Sequence, residues 1–154
     1  MRLRPYEIED APILAETYND PAYSEYWRNF NGFFKSTDFE NIEQLLGMQI
    51  GVVEEDNTVI GFLMGQPRTN TTICVSIIIL SKFQGKGYFE KFIETGLKYL
   101  KGQRFHKMVT MVNPKNDLVI KLCKSLGFIE EGFFKEERWS ADGWKDELVM
   151  AMLI

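Results

Sequence analysis

Residues 72–101 constrain the fold more than any other stretch of the chain. An apolar, β-branched run from Ile73 to Leu80 meets Gln84-Gly85-Lys86-Gly87, and beyond that turn Phe89, Phe92, Ile93, Leu97 and Leu100 recur at helical spacing. The pattern predicts strand, glycine turn, helix. A strand that is apolar on both faces belongs in the centre of a sheet. A helix that opens on glycines presents free N–H groups and the positive end of its dipole, and Lys86 adds a formal charge there. The turn therefore reads as a site for an anion such as the pyrophosphate of a nucleotide-like cofactor; a simple chain reversal is the plainer account of Gly85 and Gly87.

The rest of the chain supplies elements to pack around this unit. Leu3-Arg4-Pro5 reads as extended, and Glu9-Asp10-Ala11-Pro12 as the acidic, proline-bearing start of a helix whose face is Ile13, Leu14, Thr17 and Tyr18. Asn19-Asp20-Pro21 stops it, a second short helix follows over Ala22 to Asn29, then a loop, then a third helix through Ile42, Leu45 and Leu46. From Gln49 the period falls to two. Strands at Ile50–Glu54 and Val59–Gly65 flank the polar turn Glu55-Asp56-Asn57, and Pro67 to Asn70 turns the chain into the central strand. After the long helix, which Gly102 closes, come a strand at Met108–Val112 and a helix capped by Asn116 or Asp117 with Leu118, Val119, Leu122, Cys123 and Leu126 as its apolar face. Gly127 ends that helix; Phe128–Phe134 and Glu147–Leu153 are strands joined by a turn at Ala141-Asp142-Gly143. The order predicts one α+β domain over residues 1–154, with a mixed, mostly antiparallel sheet flanked by helices.

Composition narrows the function. A chain of 154 residues that is 45% hydrophobic can bury a full core. It holds no run of about 18 apolar residues for a membrane span, and MRLRPYEIED turns acidic where a signal peptide turns apolar, so a cytoplasmic location with no membrane partner is expected. A net charge of −4 without a basic stripe argues against a nucleic-acid partner and suits a cationic substrate. Cys74 and Cys123 fall inside a strand and a helix and read as free thiols. With a single histidine, His106, and no paired ligand spacing, no metal site is expected.

Taken together, these residues resemble the GNAT superfamily of acyl-CoA N-acyltransferases. Gln84-Gly85-Lys86-Gly87-Tyr88-Phe89 is similar to that family's R/Q-x-x-G-x-G/A turn, except that Phe89 stands where the last small residue belongs. The block from Asn113 to Gly132 is similar to its asparagine, helix and Gly-Phe segment, with Asn116, Leu126, Gly127 and Phe128 in place. LRPYEIEDAP, Asn19-Asp20-Pro21 and DGWKDELVMAML look most like the branch holding ribosomal-protein N-terminal and spermidine N-acetyltransferases. The resemblance implies acetyl-CoA as cosubstrate, with Ile77, Ile78 and Ile79 along the pantetheine, residues 84–89 at the pyrophosphate and Asn116 near the pantetheine or thioester. It also implies an amine acceptor, small molecule or peptide.

Transfer from a thioester needs a neutral amine, and an alkyl amine with a pKa near 10.4 is only about one part in 10³ neutral at pH 7, a deficit of roughly 4–5 kcal/mol. Family members often carry a glutamate on the central strand for this; here that position is Cys74, which leaves water, Glu25, Glu54 or Asp38 as proton acceptors. Where the family has an acidic tyrosine stands Cys123, a catalytic candidate by position, with solvent and Tyr88 as alternatives and plain core packing as the ordinary role of a buried cysteine. Tyr26, Trp27, Phe30, Phe33 and Phe34 suit a packing cluster or an acceptor groove, and Trp139 or Trp144 a homodimer contact. Three functions follow: an N-acetyltransferase, a non-catalytic acyl-CoA-binding or regulatory module of the same fold, and an unrelated nucleotide-binding protein, for which the required glycine or lysine-serine patterns are missing.

Overall fold

In a computed structural model of the chain, residues 1–21, 23, 34–140 and 143–154 are described. Seven strands form one sheet: β1 (Arg2–Pro5), β2 (Gln49–Glu55), β3 (Thr58–Pro67), β4 (Thr72–Ile79), β5 (Lys107–Val112), β6 (Ile129–Ser140) and β7 (Gly143–Leu153). They lie in the order β1-β2-β3-β4-β5-β7-β6. Every neighbouring pair is antiparallel except β4 with β5. The helices among the described residues are α1 (Ala11–Asn19), α2 (Ile42–Leu46), α3 (Tyr88–Leu100) and α4 (Asp117–Ser125). The α+β class, the central place of the Ile73 run and the mixed sheet are as the hydrophobic periods require.

The period of two decides what each face of the sheet buries. Ile73 and Val75 of β4, Met108 and Val112 of β5, and Leu148 and Met150 of β7 share a core with Phe92, Ile93 and Leu100 of α3 and Cys123 of α4. Burying a large apolar side chain contributes about 1.5–3 kcal/mol, so this cluster holds α3 and α4 on that face. On the other face, Val52, Phe62, Met64 and Ile78 meet Leu14 and Ala15 of α1, Phe39 and Ile42. That second cluster draws on β2, β3 and β4 but on no residue of β5, β6 or β7.

Several expectations change in detail. Asp10 stands at the N-cap of α1 as expected, but its side chain makes no cap hydrogen bond; its carboxylate binds Arg4 Nη1 and Nη2, each at 2.7 Å, and accepts the Glu7 amide at 2.9 Å. Leu118, counted with the apolar face of α4, is 68% exposed, because that face begins at Val119. Lys101, not Gly102, caps α3, while Gly102 takes the positive φ just beyond it. The segment read as a loop before α2 contains a 3-10 turn at Ser36–Phe39. The last two strands are longer than their apolar runs, because cross-strand pairing carries them out to Ser140↔Gly143. The second short helix, Glu25, the aromatic side chains Tyr26, Trp27, Phe30 and Phe33, and Ala141-Asp142 of the last turn lie outside the described residues. Phe34 packs with Tyr18 and Phe39, the ring centroids 5.4 and 5.6 Å away.

Candidate functional site

The site begins where β4 and β5 separate. Their parallel register runs Thr72↔Lys107, Ile73↔Met108, Cys74↔Val109 and then stops, although both strands continue. Beyond Cys74, β4 keeps only β3 as a neighbour. Alternation then decides which backbone groups are free. Leu80 donates its amide to Ile60 O at 2.9 Å, and Ile78 O is turned onto Gly61, so the even-numbered residues spend their backbone groups on β3. Ile77 and Ile79 face the opening. Of the three isoleucines assigned to a pantetheine edge, two therefore present peptide groups to it, and Ile78 supplies core packing on the opposite face.

The chain leaves β4 at the rim of this opening. Ser81–Phe83 make one 3-10 turn, and Gly85 and Gly87 then take φ of +68° and +73°, a region that costs a residue with a side chain. Gly87 is the N-cap of α3 and no side chain caps that helix, so its first-turn amides point outward unpaired. Lys82 and Lys86 flank the Phe83 ring, their ammonium nitrogens 5.1 and 5.7 Å from its centroid. The Phe89 ring packs against the core cluster and leaves the turn uncrowded. Gln84 donates its side-chain amide to Tyr23 Oη, and to Ile79 O at 3.3 Å.

Tyr88 donates its hydroxyl to Glu55 Oε2 at 2.6 Å, and Lys91 lies 3.6 Å from the same carboxylate. The hydrogen bond to Glu55, then burial, raises the Tyr88 phenol above its ordinary value; the same hydrogen bond, helped by the Lys91 charge and opposed by burial, draws the Glu55 carboxyl below the usual carboxylate range. Tyr88 thus ties α3 to the β2–β3 hairpin. Asn116 caps α4, its Oδ1 accepting the Val119 amide at 3.1 Å, which leaves the side-chain NH₂ for another partner. Cys123 is fully buried, and burial pushes its thiol up to about 11. Cys74 is half-buried on the face opposite α3 and α4; burial raises its thiol, Arg68 opposes that shift and Glu147 adds to it. Glu54 is bound to Arg4 Nε at 2.7 Å, and Asp38 accepts the Lys35 amide.

Sequence reasoning passed over Glu147. Its carboxylate pairs with Arg138 Nε at 3.0 Å, with side-chain exposures of 14% and 22%. No local motif marks it; only the strand register, which relates it to Cys74 through β5, could have revealed it.

The pieces fit an extended ligand with an anionic head. A strand edge that turns its odd-numbered peptide groups away from β3, with only Ile79 O taken up by Gln84, suits an arm bearing amides, and a bare helix N-terminus beside two lysines suits phosphate. Comparison with known proteins bears on which ligand that is. The profile of the acetyltransferase (GNAT) family matches residues 19–128. Among solved structures, spermidine N-acetyltransferase from Vibrio cholerae, in a complex with CoA and spermine, superposes with a TM-score of 0.86 at 24% identity, over 99% of this chain and 94% of that one. Ribosomal-protein-alanine N-acetyltransferase from Brucella melitensis gives 0.82 at 20% identity over the whole of both chains. Both are of the branch that the opening and closing segments resemble. No curated protein sequence matches the chain. The matched profile covers most of the sequence, including the glycine turn and the split strands, and the chain belongs to the acetyltransferase (GNAT) family.

Proposed function

We propose that the protein is an acetyl-CoA-dependent N-acetyltransferase that acts on a primary amine. The observation that carries this reading is the conjunction of the β4–β5 split with the uncapped α3 N-terminus at its rim. In it, the Ile77 and Ile79 peptide groups hold the pantetheine amides, residues 84–89 and Lys86 hold the pyrophosphate, and the Asn116 amide reaches the arm from the far side. Acetyl-CoA supplies an acetyl group already activated as a thioester. The amine nitrogen, once neutral, attacks the carbonyl carbon; the C–N bond forms, the C–S bond breaks, the nitrogen loses a proton and the sulfur gains one.

No described carboxylate stands on β4, so water is the proton acceptor in this reading. Return of the proton to sulfur also falls to solvent. Tyr88 has its hydroxyl engaged with Glu55, and the Cys123 thiol has no exposed surface. Those same two facts favour the second reading, a module that binds acyl-CoA without turning it over.

One experiment separates them. Purified protein is titrated with acetyl-CoA by calorimetry and then assayed for CoA release with a panel of peptides and polyamines. Binding with release supports the enzyme; binding without release across the panel supports the module.

A further inference from the structure

The turn before α3 carries two cations that no carboxylate neutralises. Lys82 lies in the 3-10 turn Ser81–Phe83 and Lys86 between Gly85 and Gly87, and both are exposed. Lys91, Lys107 and Lys124 each pair with a glutamate, but neither Lys82 nor Lys86 has an ion-pair partner among the described residues. What holds them is a ring. Their ammonium nitrogens sit 5.1 and 5.7 Å from the Phe83 centroid, within the range of a cation–π attraction. That ring is itself fixed. It is half-buried against the larger core cluster, and Tyr88, whose hydroxyl donates to Glu55, meets it edge-on at 5.8 Å.

Two like charges drawn to one ring repel each other, and an anion that reaches both turns that repulsion into attraction from two sides. A lysine is also a flexible point charge, so a ring that fixes its direction lowers the ordering cost of binding. The bare first-turn amides of α3 open beside the pair. A pyrophosphate diester carries two negative charges, one for each ammonium. We propose that Phe83 is a positioning residue for the cofactor's pyrophosphate: its ring holds Lys82 and Lys86 so that both ammoniums face the phosphates, with Lys82 a contact additional to the glycine turn. The inference rests on the acetyl-CoA reading of the site and adds to it Lys82 and Phe83, which lie ahead of that turn.

The test measures acetyl-CoA dissociation constants by calorimetry, at low and high salt, for the parent and for variants at these three positions. Lys82→Gln is expected to weaken binding about fivefold or more at low salt and to flatten its salt dependence. Phe83→Leu is expected to weaken it about three- to tenfold, and Phe83→Tyr, which keeps an aromatic face, to recover most of that loss. A ring that acts through the lysines has no effect once they are gone. In Lys82→Gln/Lys86→Gln, adding Phe83→Leu is therefore expected to change the dissociation constant by less than about twofold. Acetyl-dephospho-CoA, which keeps the pyrophosphate and lacks the 3′-phosphate, is expected to show the same losses. Should Phe83→Leu fail to melt cooperatively, Phe83→Met, closer in volume, carries the same expectation. A Phe83→Leu loss that persists undiminished without the lysines makes the ring a packing residue and overturns the inference, as does an unchanged affinity in Lys82→Gln. Losses seen with acetyl-CoA but absent with the dephospho compound assign the lysines to the 3′-phosphate and overturn it too. A folded parent that does not bind acetyl-CoA overturns the cofactor reading, and the inference with it.

Discussion

A methyl group at position 61 has nowhere to go. It would collide with the carbonyl oxygen of Ile78, a backbone atom held in the β3–β4 ladder, so the strain cannot be relieved by a side chain turning away. Gly61→Ala is expected to cost about 2 kcal/mol or more in urea unfolding, at the upper end of what overpacking does. Cys123 offers the contrasting case, a small buried side chain with no polar partner. Cys123→Ala is expected to lower stability by about 1–2 kcal/mol through lost burial and to leave the transfer rate near that of the parent. A collapse of turnover with acetyl-CoA affinity intact would restore to the thiol the acid's role that its position suggests. Phe89, the departure from the family turn, needed the structure for its meaning: a side chain on the first turn of a helix can point toward ligand or core, and sequence does not say which. The structure turns it to the core.

Among the elements, α3 opens on the glycine turn that the proposed function assigns to the cofactor, and its anchoring to the β2–β3 hairpin is specific. One hydrogen bond from Tyr88 and one ion pair from Lys91 converge on Glu55 at the hairpin end, beside Asp56 and Asn57, which take φ of 51° and 59°. Tyr88→Phe keeps the ring against Phe83, 5.8 Å away, and removes only the hydroxyl. The expected result is acetyl-CoA binding weakened by about three- to tenfold, the effect of one hydrogen bond that orients the helix, read by calorimetry. Most elements were legible because each obeys its own local period: two across β3, three and four along α3. What escaped was decided between elements. The separation of β4 from β5, the sharing of a face by Cys74 and Glu147, and the diversion of Asp10 from helix cap to Arg4 all depend on register or on contacts between elements.

For the molecule as a whole, the Arg4, Asp10 and Glu54 cluster joins β1, the start of α1 and β2. Burial alone would raise the Asp10 carboxyl, but the Arg4 hydrogen bonds and charge outweigh it and hold the group below its ordinary value. A carboxyl so depressed stabilises the fold fully above its unfolded pKa of about 3.9. That stability is lost as pH falls through the lower, folded value. Urea midpoints are therefore expected to hold from neutral pH down to about 5 and to drop below about 4. Asp10→Ala is expected to remove that acid step, at a cost of about 3–5 kcal/mol at neutral pH, because the Arg4 charge is left half-paired.

The separation of β4 from β5 leaves a seam in the middle of the sheet, where backbone is ordinarily most protected. Native-state amide exchange should expose it: the Ile77 and Ile79 amides are expected to exchange with solvent far faster than the Ile78 amide between them, which β3 shields. A ligand that lies along the seam as an added strand should slow the odd-numbered pair and leave Ile78 as it was. The sheet would then behave as an eight-stranded structure whose middle strand comes and goes with the ligand.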